Sequence, residues 1–253
     1  MKPAAVALAV LAVAGSLHAQ PLTRLTGRVV SDRGEPIADA EVKVEALFGP
    51  RGEPFAGQRV NGARTNAKGE WTLIGFKAGG WLFSVSVPGQ LPDAIVLPMN
   101  VVLGEGRGMA GQMPLWHPVL RTEPVPLGEA GRWLGEAATA WHLGDAVAVK
   151  RMLRRPPLGI DAAAQAAAGR LSLLVADTEL AEDFFTRARQ QDPASFRAAL
   201  GLGSTALILR NFDAAAKLFG AARDRTKDKD ERGYLAAAIA DLNRIDPRSG
   251  PAY

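Results

Sequence analysis

The sequence predicts a multidomain chain, β first and α second: a seven-stranded β-sandwich followed by an α-solenoid of about three helix pairs and a capping helix. Three observations carry this reading. From Leu22 to about Val102, apolar and polar residues alternate with period two between turn residues. After Pro126 the composition shifts to Ala, Leu and charged residues at helical spacing. Within that second half, residues recur 34 positions apart.

The N-terminus precedes both modules. Lys2, the small-apolar run Ala4–Gly15 and then Ser16-Leu17-His18-Ala19 form the n-region, h-region and cleavage site of a signal peptide over residues 1–19. The run is shorter than the roughly 20 apolar residues a membrane span requires. The expectation is a mature protein in the periplasm or secreted, with no membrane span. There is no cysteine among the 253 residues, so no disulfide and no thiolate metal ligand is available. The formal net charge of +4 is interspersed without long one-sign runs, which argues against a nucleic-acid partner.

The strands of residues 20–103 are read from alternation. Thr26-Gly27-Arg28-Val29-Val30 leads into the turn Asp32-Arg33-Gly34-Glu35-Pro36. Ala40-Glu41-Val42-Lys43-Val44-Glu45 then places apolar side chains on one face and charges on the other, as in a half-buried antiparallel strand. Gln58 to Thr65 is a further strand, and Ala67-Lys68-Gly69-Glu70 a tight turn into Trp71-Thr72-Leu73. Gly79-Gly80 turns into Trp81-Leu82-Phe83-Ser84-Val85-Ser86-Val87. Trp71 shares its face with Leu73, and Trp81 with Phe83 and Val85, so both indoles should point inward rather than offer a platform for sugars.

The set Gly27-x-Val29, Asp32-x-Gly34-x-Pro36-Ile37, Ala40-x-Val42-x-Val44, Thr65 with Gly69-x-Trp71-x-Leu73, Gly80-Trp81 and Pro88-Gly89 resembles the carboxypeptidase regulatory-like domain, a prealbumin-like sandwich. Trp71 and Trp81 stand where that family usually has Phe and Tyr, and the loop Phe48–Gly57 is longer than its norm. The resemblance implies an accessory module without catalysis, with glycan binding as one of its associations.

Residues 104–126 are rich in Gly and Pro and are expected to form a linker of little regular structure. Met109, Met113 and His117 in it are soft and imidazole groups of the kind copper takes. Gly108, Gly111 and Pro114 oppose the helix that would bring the three to one face, so no metal site is assigned.

In residues 127–253, Gly169 with Gly203, Leu173 with Leu207, Ala181 with Ala215, Phe185 with Phe219 and Ala188 with Ala222 are each 34 apart. These residues resemble tetratricopeptide repeats: small residues where helices cross, an aromatic filling the cleft, and Pro193 closing a repeat. Extended upstream, the frame places Gly135 opposite Gly169, starts a second helix at the N-cap Asp145, and puts Arg151 where Phe185 and Phe219 stand. Downstream, a helix from about Asp230 to Leu242 is the cap.

Catalytic constellations are missing. There is no His-Glu-x-x-His, Gly-x-Ser-x-Gly, phosphate-cradling or dinucleotide motif. His142 at a helix end is expected to meet the last carbonyls, and Glu179, Glu182 and Asp183 to favour the first turn of a helix. The sequence thus predicts a non-enzyme without cofactors: an exported scaffold or adaptor that binds a protein or peptide in the helical groove. The repeat resemblance implies that Arg132, Glu136, Arg170, Leu173, Arg197, Leu200, Ser204 and Leu207 line that groove, and its arginines suit an acidic partner. The rival expectation is an envelope-glycan or carbohydrate-binding protein acting through the sandwich.

Overall fold

A computed structural model describes residues 24–49, 61–76, 79–99 and 117–244. The expected signal peptide 1–19, most of the Phe48–Gly57 loop, and Met109 and Met113 lie outside them. The described residues build β sheets first and seven helices after them.

Eight strands are described: β1 (Arg24–Ser31), β2 (Glu41–Phe48), β3 (Asn61–Arg64), β4 (Glu70–Ile74), β5 (Gly79–Ser86), β6 (Gln90–Leu91), β7 (Asp93–Met99) and β8 (Val119–Pro124). They form two four-stranded sheets, ordered β4-β1-β8-β6 and β3-β2-β5-β7, instead of one count of seven. The addition is β8, which lies inside the expected linker and pairs parallel to β1, Val29 opposite Leu120. Between the sheets sit Leu25, Val29, Val42, Val44, Trp71, Trp81 and Phe83, the alternating apolar set of the sequence. Trp81 is fully buried and Trp71 nearly so, with Trp71 tilted against Phe83 at 6.2 Å between ring centroids. Gly27 faces Trp71 in register, and a Cβ there would lie 2.3 Å from the indole, so glycine makes room for the larger ring.

The helices are α1 (Gly128–His142), α2 (Ala146–Leu153), α3 (Ala162–Leu174), α4 (Thr178–Gln191), α5 (Phe196–Ile208), α6 (Phe212–Arg225) and α7 (Lys229–Arg244). Asp145, Asp161, Asp177, Ser195 and Asn211 each accept a hydrogen bond from the amide three residues on, satisfying an otherwise orphaned donor. The glycines of the repeat let helices close on rings. A Cβ at Gly169 would meet Phe185 at 2.7 Å, one at Gly201 the same ring at 2.3 Å, and one at Gly203 would meet Phe219 at 2.5 Å.

The first pair departs from the frame. Asp177 and Asn211, the caps of α4 and α6, are 34 residues apart, but Asp145, the cap of α2, precedes Asp177 by only 32. The reason is that α1 has 15 residues where α3 and α5 have 13. Counted from its own cap, α2 places Leu153 where Phe185 and Phe219 stand, and Leu153 is fully buried. Arg151, assigned there by a strict 34-residue frame, is exposed.

The two modules are not strung on a loose connector. One apolar cluster runs from the sheet core into Leu200, Leu207, Phe219 and Tyr234 of α5–α7, Leu91 joins the cluster of α1–α3, and Ala94 joins that of α3–α5. Phe48 at the end of β2 meets Phe212 of α6 at 6.5 Å. Only Val125–Leu127 separate β8 from α1. The expectation of a linker of little regular structure over residues 104–126 is therefore corrected for its described end: Val119–Pro124 is a strand, and a shared apolar core joins the β sheets to the helices.

Candidate functional site

The helical groove is filled by the molecule's own β7. All seven residues of β7 are buried, because one edge pairs with β5 while α3, α5 and α7 pack against the strand. Pro98 is tolerated because β7 pairs with a strand on one side only. On the other side Ser204 of α5 replaces a strand: its hydroxyl accepts from the Val96 amide at 3.0 Å and donates to the Val96 carbonyl at 3.4 Å.

The arginines assigned to the groove hold carboxylates that belong to this same chain. Arg170 is 4% exposed. Its Nε lies 3.2 Å from Asp93, off the axis of a true hydrogen bond, and its terminal nitrogen donates to Glu123 at 3.0 Å. Arg197 reaches the same two partners at 3.3 and 3.4 Å. Asp93 also accepts from the Arg121 amide at 2.8 Å. The Arg121 side chain turns to α7 and its approach, meeting Glu231 at 2.5 Å and Asp228 at 2.7 Å. Burial alone would raise the Glu123 carboxyl, but Arg170 and Arg197 outweigh it and hold the group below its usual range. Burial favours the neutral phenol of Tyr234, and nearby Glu231 adds to the upward shift. The network fixes two strands to three helices, so these groups are committed inside the molecule.

Of the other residues assigned to the groove, Leu173 packs with Ala94, and Leu200 and Leu207 lie in the large cluster. Arg132 and Glu136 on α1 are exposed and apart from the network. The expectation of an open groove is thus corrected at its centre. The signal for this was in the sequence: Ala94-Ile95-Val96-Leu97-Pro98-Met99 is continuously apolar rather than alternating, the mark of a strand covered on both faces.

A different surface is open. A cleft of about 320 Å³ lies between the outer face of β2 and β5 and the end of α1, floored by Leu82 and Leu174 and bordered by Glu41, Lys43, Glu45 and Trp141. Lys43 is paired with Glu41 at 3.3 Å. His142 pins the cleft's corner: its Nδ1–H donates to the Ala138 carbonyl and its Nε2 meets the Ser86 hydroxyl, both at 2.7 Å. The carbonyl contact is the helix-end role the sequence predicts; the bond to β5 is additional and had no local signal. A second cavity of about 470 Å³ on the outer face of β1 and β4 is lined by Arg24, Arg28, Glu70, His117 and Asp230. There Arg28 pairs with Asp230, and His117 meets the Thr26 hydroxyl at 2.7 Å. Among the described residues no three His, Cys, Asp or Glu side chains converge to hold a metal ion, and no helix is long and apolar enough to cross a membrane.

No family model matches the chain, and no curated protein matches it. Solved structures similar to parts of it include PcrH from Pseudomonas aeruginosa, 17% identical over 47% of this chain and 95% of that one, with a TM-score of 0.39. The full-length major pilin SpaD from Corynebacterium diphtheriae is 14% identical over 40% of this chain and 30% of its own, with a TM-score of 0.29. The dioxygenase domain of a dioxygenase–carbohydrate-binding fusion from Streptomyces sp. SirexAA-E is 15% identical over 43% and 79%, with a TM-score of 0.27.

Proposed function

We propose that this chain is an exported, non-catalytic adaptor that holds a protein partner on a face made jointly by the β domain and the first helices. In this reading the β domain is of the carboxypeptidase regulatory-like type and the helices are of the tetratricopeptide type. The carrying observation is the filling of the helical groove by β7, with Arg170 and Arg197 neutralised by Asp93 and Glu123. A partner in that groove would have to displace a strand buried along its whole length. The cleft beside Trp141 needs no such displacement, and both modules line it. Joining of the modules through a shared core suits an adaptor, since a preformed surface loses little ordering entropy on binding. The sandwich-borne glycan reading is not favoured, because Trp71 and Trp81 are enclosed in the core.

The test is to replace Lys43 with a benzophenone-bearing amino acid and irradiate the native envelope. A discrete cross-linked protein, absent when the same group is placed at Glu35 on the β1–β2 turn, is the expected result. Absence of any adduct specific to position 43 overturns the joint face as the binding surface. Residues 1–19 are tested separately by N-terminal sequencing, which should begin at or near Gln20.

A further inference from the structure

We infer that the cleft beside Trp141 takes a cationic side chain, an arginine or lysine, presented by the partner. The inference rests on the joint-face reading and deepens it by naming the chemistry recognised. Charge is the first determinant. Glu41, Lys43 and Glu45 project from alternate positions of β2 onto the same face. Lys43 is held by Glu41, and Glu45, which is exposed, has no ion pair or hydrogen bond among the described residues. The net charge of the three is −1, carried by the unpaired carboxylate.

Shape supplies the second part. Leu82 stands opposite Glu45 in the β2–β5 register, so an apolar side chain lies beside the free carboxylate. Leu174 from α3 and the half-buried Trp141 complete an apolar lining. Arginine and lysine combine an aliphatic stem with a charged tip, and such a stem covers apolar surface while the tip finds a carboxylate. An aromatic ring adds attraction for the same charge. An anionic side chain would meet Glu45 with like charge, and a purely apolar one would bury against Glu45 without satisfying it. The expected sign of partner charge is therefore the reverse of the sequence-based expectation, because the arginines that suggested an acidic ligand are already paired inside.

The experiment uses the full chain and nuclear magnetic resonance. N-acetyl-arginine amide is titrated while the Trp141 indole N–H and the Gly144 amide are followed, with N-acetyl-citrulline amide as the uncharged isostere. Saturable shifts with a millimolar midpoint are expected for the arginine probe, at least tenfold weaker for citrulline. Glu45→Gln should lower arginine binding to the citrulline level, whereas Glu136→Gln, on the exposed side of α1, should leave it unchanged. Equal binding of the two probes, or arginine binding untouched by Glu45→Gln, overturns the cation site. If position 43 cross-links a protein but the arginine probe does not bind, the joint face stands and the cation falls. If arginine binds at Glu45 and no protein cross-links, the cation site stands and the adaptor reading falls.

Discussion

The first helix pair and the two that follow it are built from one repeat but close in different ways. In α3–α6, glycine meets ring: Phe185 lies against Gly169 and Gly201, and Phe219 against Gly203. In α1–α2 a Cβ at the corresponding glycine, Gly135, would meet no ring but lie 3.3 Å from Val125, and the filling residue of α2 is Leu153. α3 and α5 stop at Ala176 and Arg210, both in the left-handed region, whereas α1 continues through the equivalent place and turns only at Gly144. Two additional residues of helix carry Trp141 and His142 out over the sheet. The well-matched repeats hold β7, and the irregular one shapes the accessible surface.

Breaking the regular side should cost most. Phe185→Ala removes a fully buried ring from between two glycines and is expected to destabilise by about 3–5 kcal/mol. Arg151→Ala, at the same place in a strict 34-residue frame, should change stability by no more than about 0.5 kcal/mol, because α2 leaves Arg151 exposed. Denaturant melts of the two variants compare the pairs directly, and equal losses would restore the strict frame. Asp93→Ala leaves Arg170 and Arg197 with Glu123 as the one carboxylate they still share and should cost a similar amount, about 3–5 kcal/mol, with both spectral signatures, β and α, lost in one transition. Separate transitions would show that the network does not join the modules.

Ser204→Ala should cost about 1–3 kcal/mol, since it strands the buried Val96 amide. A smaller effect concerns acid. Glu123 titrates below its ordinary value of 4.5 when folded, so its contribution is present above that value and is lost as pH falls through the lowered one. Asp228 behaves in the same sense: burial opposes ionisation, while the amides of Glu231 and Asp230 and the Arg121 guanidinium outweigh it. Melting temperature should hold between neutral pH and about pH 5 and drop below it, less steeply in Glu123→Gln. His142→Ala sharpens the irregular side of the comparison. It removes the bond to Ser86 at an exposed site, with an expected loss of about 0.5–1.5 kcal/mol and a change of environment at Trp141 seen by fluorescence.

What the sequence made legible was local. Alternation placed Trp71 and Trp81 inside, the repeat set Gly169, Phe185, Gly203 and Phe219 against one another, and Asp145 marked the start of α2. What it hid was long-range. β8 pairs with a strand some ninety residues earlier, and nothing in Val119–Pro124 names that partner. Counting every 34 residues misplaced Arg151 because an insertion within α1 is silent in composition. The groove assignment identified arginines that bind carboxylates, but a single sequence does not say whether the carboxylate comes from another molecule. Glu45 and Trp141 meet only through tertiary packing, so no spacing pointed to them.

The hydroxyl of Ser204 on Val96 has a consequence for how the chain survives synthesis and handling. A sheet edge with free amides and carbonyls is a template for any other extended segment, and chains that leave such edges bare stack into fibres. β7 combines six successive apolar or proline residues with an edge that, among the described residues, Ser204 and its helix cover at Val96. Until α5 has been made and has docked, the nascent β domain carries an open seam, and a proteolytic nick that freed the helices would reopen it. The helices therefore act towards their own neighbour as a permanent chaperone, blocking polymerisation from the strand they cover.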